Sequence, residues 1–120
     1  MRPECPQHLL DIAKAARLIL VFTEGRTLED DQADDLLRSG VERQFMIVGE
    51  AMMRIRHDEP DLIGSIPDAP QIISFRNILA HDYSRVADLT VWGIIQGHLC
   101  NLIDQVKNLR KSNLGNPTDA

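Results

Sequence analysis

Val41, Phe45, Val48, Met52 and Ile55 recur at steps of four, three, four and three. A stripe with that spacing belongs to a helix that packs along its length inside a bundle. Met46, Ile47 and Met53 widen the apolar surface beyond one stripe. A helix apolar on more than one face is either central to its fold or in contact with a second chain. Gly49 and Ala51 lie within the run and are small enough to let a neighbouring helix approach closely. Ser39-Gly40-Val41-Glu42 has the pattern of a capping box, so the helix is expected to open there. His57-Asp58-Glu59-Pro60 is expected to close it.

The remaining chain has to supply the neighbours of that helix. Leu9, Ile12, Ala13, Ala16, Ile19 and Leu20 form an apolar face after Pro6, with Phe22 extending it. Proline is tolerated in a first helical turn, where its missing N–H has no partner in any case. Gly25 is the expected stop. Thr27 and Asp30 resemble a capping pair for a short acidic helix over 28–38, anchored by Leu36 and Leu37. Its carboxylates (Glu29, Asp30, Asp31, Asp34, Asp35) are read as a solvated face. Residues 58–70 carry Pro60, Gly64, Pro67 and Pro70 and predict a long connection. Asp68 is a candidate cap for a helix over 69–82, with Ile72, Phe75, Ile78 and Leu79 inward. Ser84-Arg85-Val86-Ala87 reads as a turn and Asp88 as the cap of a last helix. That helix would bury Val91, Ile95, Leu99, Leu102, Val106 and Leu109. Gly93 and Gly97 cost helix propensity, so close packing is expected at both. No period-two strand pattern occurs. The expectation is an all-α, up-and-down bundle of four or five helices, one domain over 1–111, with a disordered tail over 112–120.

Charge and composition narrow the function classes. The net charge is −5, which argues against a nucleic-acid coat protein with a broad basic surface. It leaves room for local capture of RNA by a few arginines. Cys5 and Cys100 have no metal-binding or redox spacing, and Cys100 falls in the apolar pattern of the last helix, as a small core residue would. The first residues lack the apolar run of a signal peptide. No stretch has the roughly 18–20 apolar residues of a membrane span. A cytoplasmic protein without a membrane association is expected.

The densest polar chemistry lies in Ser74-Phe75-Arg76-Asn77-Ile78-Leu79-Ala80-His81-Asp82-Tyr83. With Arg76 as the origin of a helical wheel, Asn77 falls at about 100°, His81 at about 140° and Tyr83 at about 340°. Asn77 and His81 are therefore neighbours one turn apart, and Arg76 and Tyr83 share a different stripe. A straight helix does not unite Arg76 with His81. A helix end near His81, or a second copy of the motif across a dimer, would do so, and both favour a cleft. Histidine exchanges protons near neutral pH, and arginine binds phosphate with two parallel hydrogen bonds. The pair suits cleavage of RNA by its own 2′-hydroxyl, with arginine steadying the phosphorane. That chemistry needs no metal or cofactor, and none is expected. A histidine beside an aspartate near a helix end is also a common structural pair, so these residues alone leave both readings open.

Arg76-Asn77-Ile78-Leu79-Ala80-His81-Asp82-Tyr83 resembles the R-x4-H-x-Y signature of HEPN-domain proteins, and among them the HepT-like ribonuclease toxins. Ile47-Val48-Gly49-Glu50-Ala51 resembles the family's IGEA segment, and Val91-Trp92 with the apolar run after it resembles the family's last helix. The similarity covers about residues 7–110. It implies a helical, HEPN-like homodimer whose two motifs line a shared cleft. It further implies Arg76 and His81 as the catalytic pair on an RNA substrate, with Asn77 in support. Asp82 is a possible further supporting group, either orienting His81 or capping the turn. The usual partner of such a toxin is a minimal nucleotidyltransferase antitoxin, which would neutralise it by transferring AMP to Tyr83. The alternative is a non-catalytic HEPN subunit that binds nucleotide or RNA and partners a nucleotidyltransferase.

Overall fold

The structure, a computed structural model, describes residues 4–80 and 92–113. Helix α1 spans Cys5–Thr23 with Pro6 in its first turn. Leu9, Ile12, Ala13, Ala16 and Ile19 are buried as their spacing predicts. Phe22 does not continue that stripe inward and remains 37% exposed. The Thr23 hydroxyl donates to the Ile19 carbonyl at 2.7 Å. Gly25 follows with φ of 70°, a left-handed conformation that costs glycine no Cβ clash. Helix α2 spans Leu28–Ala33. The Asp30 N–H donates to Thr27 Oγ1 at 3.1 Å, and the Thr27 N–H donates to Asp30 Oδ2 at 2.9 Å. The two residues form the reciprocal cap that their spacing suggests.

The long helix α3 spans Asp35–Asp58, and its start corrects the sequence expectation. Asp34 is the N-cap, its carboxylate accepting the Leu37 N–H at 3.1 Å. Ser39 therefore lies inside the helix, and the segment expected as one acidic helix to residue 38 is divided at Asp34. Aspartate caps as well as serine does, and once Asp34 has turned the chain, the Ser39 N–H lies within a running helix. Leu36 consequently points outward at 85% exposure and anchors nothing. The acidic face is also not uniformly solvated, since Asp31 is buried at 2% exposure.

Helix α4, Pro60–Ile63, adds one turn to the expected connection, and α5 spans Ala69–Ala80. Asp68 stands just before α5, where its carboxylate lies 3.3 Å from Nδ1 of His98. Residues 92–97 form the described part of α6, and α7 spans Leu99–Asn113. The last helical segment is therefore not uniform: a turn at His98 separates α6 from α7. Backbone bonds still bridge it, from the His98 N–H to the Ile94 carbonyl and from the Leu102 N–H to the His98 carbonyl, both at 2.9 Å. Among the described residues, added Cβ atoms at Gly93 and Gly97 would meet nothing within 4 Å, so packing against the described helices does not account for either glycine. The expected turn at 84–87, the Asp88 cap and Val91 lie outside the described residues. Of the tail expected over 112–120, Ser112 and Asn113 belong to α7, and residues 114–120 lie outside the described residues.

No strand occurs among the described residues, and the protein is all-α. Helix α3 packs against α1 on one side and α5 on the other, and α1 packs in turn on α7. All five seam residues, Val41, Phe45, Val48, Met52 and Ile55, are buried. Phe45 meets Phe75 of α5 edge to face, with ring centroids 5.2 Å apart at 79°. Such a pair adds about 0.5–1.5 kcal/mol beyond the area it buries. Ile95, Leu99, Leu102 and Val106 close the core from α6 and α7, with Leu109 partly covered. Cys100 is exposed and Cys5 is buried, the reverse of the role expected for Cys100. Burial pushes the Cys5 thiol pKa up, with the Glu59, Asp58 and Glu4 carboxylates adding to the effect. Among the described residues, no helix is long and apolar enough to cross a membrane.

Gly49 sits where α3 faces α5. A Cβ built there would lie 2.7 Å from Cγ of Arg76 and collide with its Cβ as well. The absence of a side chain at 49 is thus what lets the two helices meet at Arg76.

Two consequences are measurable by chemical denaturation. Asp34→Ala should cost about 1 kcal/mol, the usual loss for an N-cap, whereas Ser39→Ala should change stability by less than about 0.5 kcal/mol. The opposite order would return the helix start to Ser39. Gly49→Ala should destabilise by about 1–3 kcal/mol, as overpacking does, although alanine is the better helix former. An unchanged or raised midpoint would show that α5 yields at no cost.

Candidate active site

The described part of the site is built where α5 crosses the middle of α3. Phe75 fixes the rotation of α5 by inserting beside Phe45. Ile72 and Ile73 are buried on the same helix. This rotation leaves Arg76 at the edge of the contact, its side chain 24% exposed, with Asn77 exposed beside it.

Arg76 is held at both ends of its side chain. The stem lies against the bare backbone of Gly49. At the head, Nη1 donates to Asn77 Oδ1 at 3.2 Å, and Nη2 lies 3.5 Å from Glu50 Oε1. Nε is buried without a hydrogen-bond partner among the described residues. The ion pair is partly solvated and contributes only about 0–1 kcal/mol to stability. Its structural effect is orientation: a four-torsion side chain is confined, with its terminal nitrogens held at Glu50 and Asn77. A guanidinium preorganised in this way loses less entropy when it grips an oxyanion.

Of the residues expected at the site, the structure brings Arg76 and Asn77 together directly. Their hydrogen bond gives Asn77 a defined part in holding the guanidinium. His81, Asp82 and Tyr83 lie outside the described residues. Glu50 was not singled out as a site residue by sequence reasoning. The available signal was its place beside Gly49 in the Ile47–Ala51 segment, since a residue next to a helix-contact glycine must itself lie at the rim of that contact. Among the described residues, no three His, Cys, Asp or Glu side chains gather as a metal site requires.

Comparison with known proteins bears on the same residues. A protein from Thermococcus cleftensis named as a probable ribonuclease HepT is 31% identical over 111 residues, which is 92% of this chain and 100% of that protein. A protein from Methanocaldococcus jannaschii, whose name proposes an RNase (MJ1380), is 27% identical over 88 residues, 73% of this chain and 80% of the relative. No solved structure matches this chain. The model of the HepT-like ribonuclease family matches residues 12–109, a span that contains Gly49, Glu50, Arg76 and Asn77 together with the helices that position them. The chain is therefore a member of the HepT-like ribonuclease family.

Proposed function

We propose that this protein is a metal-independent endoribonuclease toxin that cuts RNA with Arg76 and His81 in a cleft shared by two subunits. The observation that carries the reading is the confinement of Arg76: stem against Gly49, head between Glu50 and Asn77. Gly49 admits the stem against α3, and Glu50 and Asn77 hold the head, so the guanidinium is oriented in advance of any ligand. Family membership over most of the chain supports ribonuclease activity, as do the names of the relatives.

In the proposed reaction the imidazole of His81 removes the proton of a ribose 2′-hydroxyl. The freed oxygen attacks the adjacent phosphorus, and the bond from phosphorus to the 5′-oxygen breaks. The products are a 2′,3′-cyclic phosphate and a 5′-hydroxyl, whose oxygen takes up a proton. Arg76 neutralises charge on the non-bridging oxygens as the phosphorane forms, the step at which oriented donors act most strongly. Asn77 holds the guanidinium in line. Asp82 is proposed to orient His81. Because Arg76 and His81 lie on different stripes of one helix, a second subunit would complete the cleft. The net charge of −5 accords with local rather than surface-wide capture of RNA.

Control is proposed to act through Tyr83. A nucleotidyltransferase antitoxin would transfer AMP from ATP to the phenol oxygen, releasing pyrophosphate. The added phosphate would place negative charge and bulk beside the catalytic pair, where the RNA phosphate has to sit.

Wild-type protein should cleave RNA equally with and without EDTA. His81→Ala and Arg76→Ala should each lower the rate at least about a hundredfold, as loss of an acid–base group or of a charge-stabilising donor does. Arg76→Lys should recover little, because an ammonium lacks the planar fork. Full inhibition by EDTA would overturn metal independence, and no cleavage of any RNA would favour the binding-subunit alternative. Native mass spectrometry after co-expression with a nucleotidyltransferase encoded beside this chain should find two copies of the chain and adenylate on Tyr83. A neutralised complex with unmodified Tyr83, or with a single copy, would refute that part of the proposal.

A further inference from the structure

We propose that the hollow between α1 and α3 next to Arg76 is a nucleobase pocket selective for guanine, setting where the RNA is cut; this rests on the ribonuclease reading above. The hollow has a volume of about 280 Å³ and is lined by His8, Asp11, Ile47, Glu50, Ala51 and Arg54. It adjoins the catalytic arginine through one shared residue. Glu50 lies 3.5 Å from Nη2 of Arg76 through Oε1, and it also forms part of the wall of the hollow.

The lining is arranged as two facing ladders. Glu50 and Arg54 are one turn apart on α3, and His8 and Asp11 are one turn apart on α1, so each pair shares a helix face. Ile47 and Ala51 give the hollow an apolar floor. Asp11 is oriented by Gln7, whose Nε2 donates to Oδ1 at 2.9 Å. Its second oxygen has no partner among the described residues, and neither does the second oxygen of Glu50. Arg54 is exposed and has no ion-pair partner among the described residues.

These groups favour one base over the others. Two carboxylate oxygens accept the N1–H and 2-amino hydrogens that only guanine presents side by side. An arginine donates to the O6 and N7 pair on the other edge of the same base, the commonest arginine contact to a base. Adenine would set its amino group against Arg54. Uracil would turn carbonyl oxygens toward the carboxylates. A bare phosphate is disfavoured, because Asp11 and Glu50 outnumber Arg54. The hollow thus suits a base lying next to the scissile phosphate, while Arg76 takes the phosphate itself.

The test is cleavage of a randomised RNA pool, with sequencing of the cut ends, by wild type and by Asp11→Asn. Asp11 takes no part in the proposed chemistry, and asparagine keeps its shape. Guanine should dominate one position beside the cut by about tenfold or more, within what one good bidentate base contact supplies. Asp11→Asn should erase that preference among the cuts that remain. A second arm uses full-length His81→Ala protein, with and without Asp11→Asn. It measures binding of five-residue RNAs holding one guanine, one inosine, which lacks the 2-amino group, or neither. Guanine should bind about tenfold more tightly than inosine, and only with Asp11 present. Absence of any guanine preference, or a preference that survives Asp11→Asn in either arm, would overturn the pocket. If wild type cuts nothing, the ribonuclease reading fails, and the binding arm alone decides the pocket.

Discussion

Everything described around Arg76 depends on one close approach, that of α5 to the bare backbone of α3 at Gly49. At this point a side chain on α3 would occupy the space that Arg76 Cβ and Cγ now fill. Interiors of this density respond to a single methyl group, so the position acts as a register mark between two helices. The Phe45–Phe75 contact fixes the same two helices from within the core. Together the two contacts determine how far α5 is rotated and how far it is translated. The guanidinium then meets Glu50 and Asn77 as a result of packing, without needing a strong ion pair to draw it there.

The helical architecture was legible in the sequence because it rests on local periodicity. The five-residue seam from Val41 to Ile55, the apolar stripe of α1, the Thr27–Asp30 cap and the Gly25 stop all use interactions within a few residues. What misled was competition between equally good local signals. Asp34 and Ser39 both satisfy the rule for a helix start, and nothing within five residues ranks them. Cys5 and Cys100 differ in burial because of which helix packs on which face, a tertiary fact absent from their neighbourhoods. Gly93 and Gly97 were read as close-packing positions on the same kind of local inference, yet none of the described residues packs closely on either.

The site was legible in a similar, divided way. Arg76 and Asn77 are adjacent in sequence, and their hydrogen bond follows from that adjacency. Glu50 lies 26 positions earlier, and its nearness to Arg76 is set by the register of α3 against α5. Local spacing cannot give that register. The same limit applies to the hollow between α1 and α3, whose lining comes from residues some 40 positions apart. A polar residue on an amphipathic helix looks like solvated surface until the neighbouring helix is in place.

The notch at Gly49 gives Arg76 a double occupation. Its aliphatic stem fills an interhelical space that would otherwise be void, and its head carries the charge. Truncation at this position therefore removes a spacer along with a cation, and a loss of activity measured on such a variant mixes a loosened helix contact with a lost charge. A side chain of similar length but neutral, such as glutamine or methionine, separates the two contributions. The fold and the chemistry constrain the same few carbon atoms, so drift at either of these two positions is penalised through both.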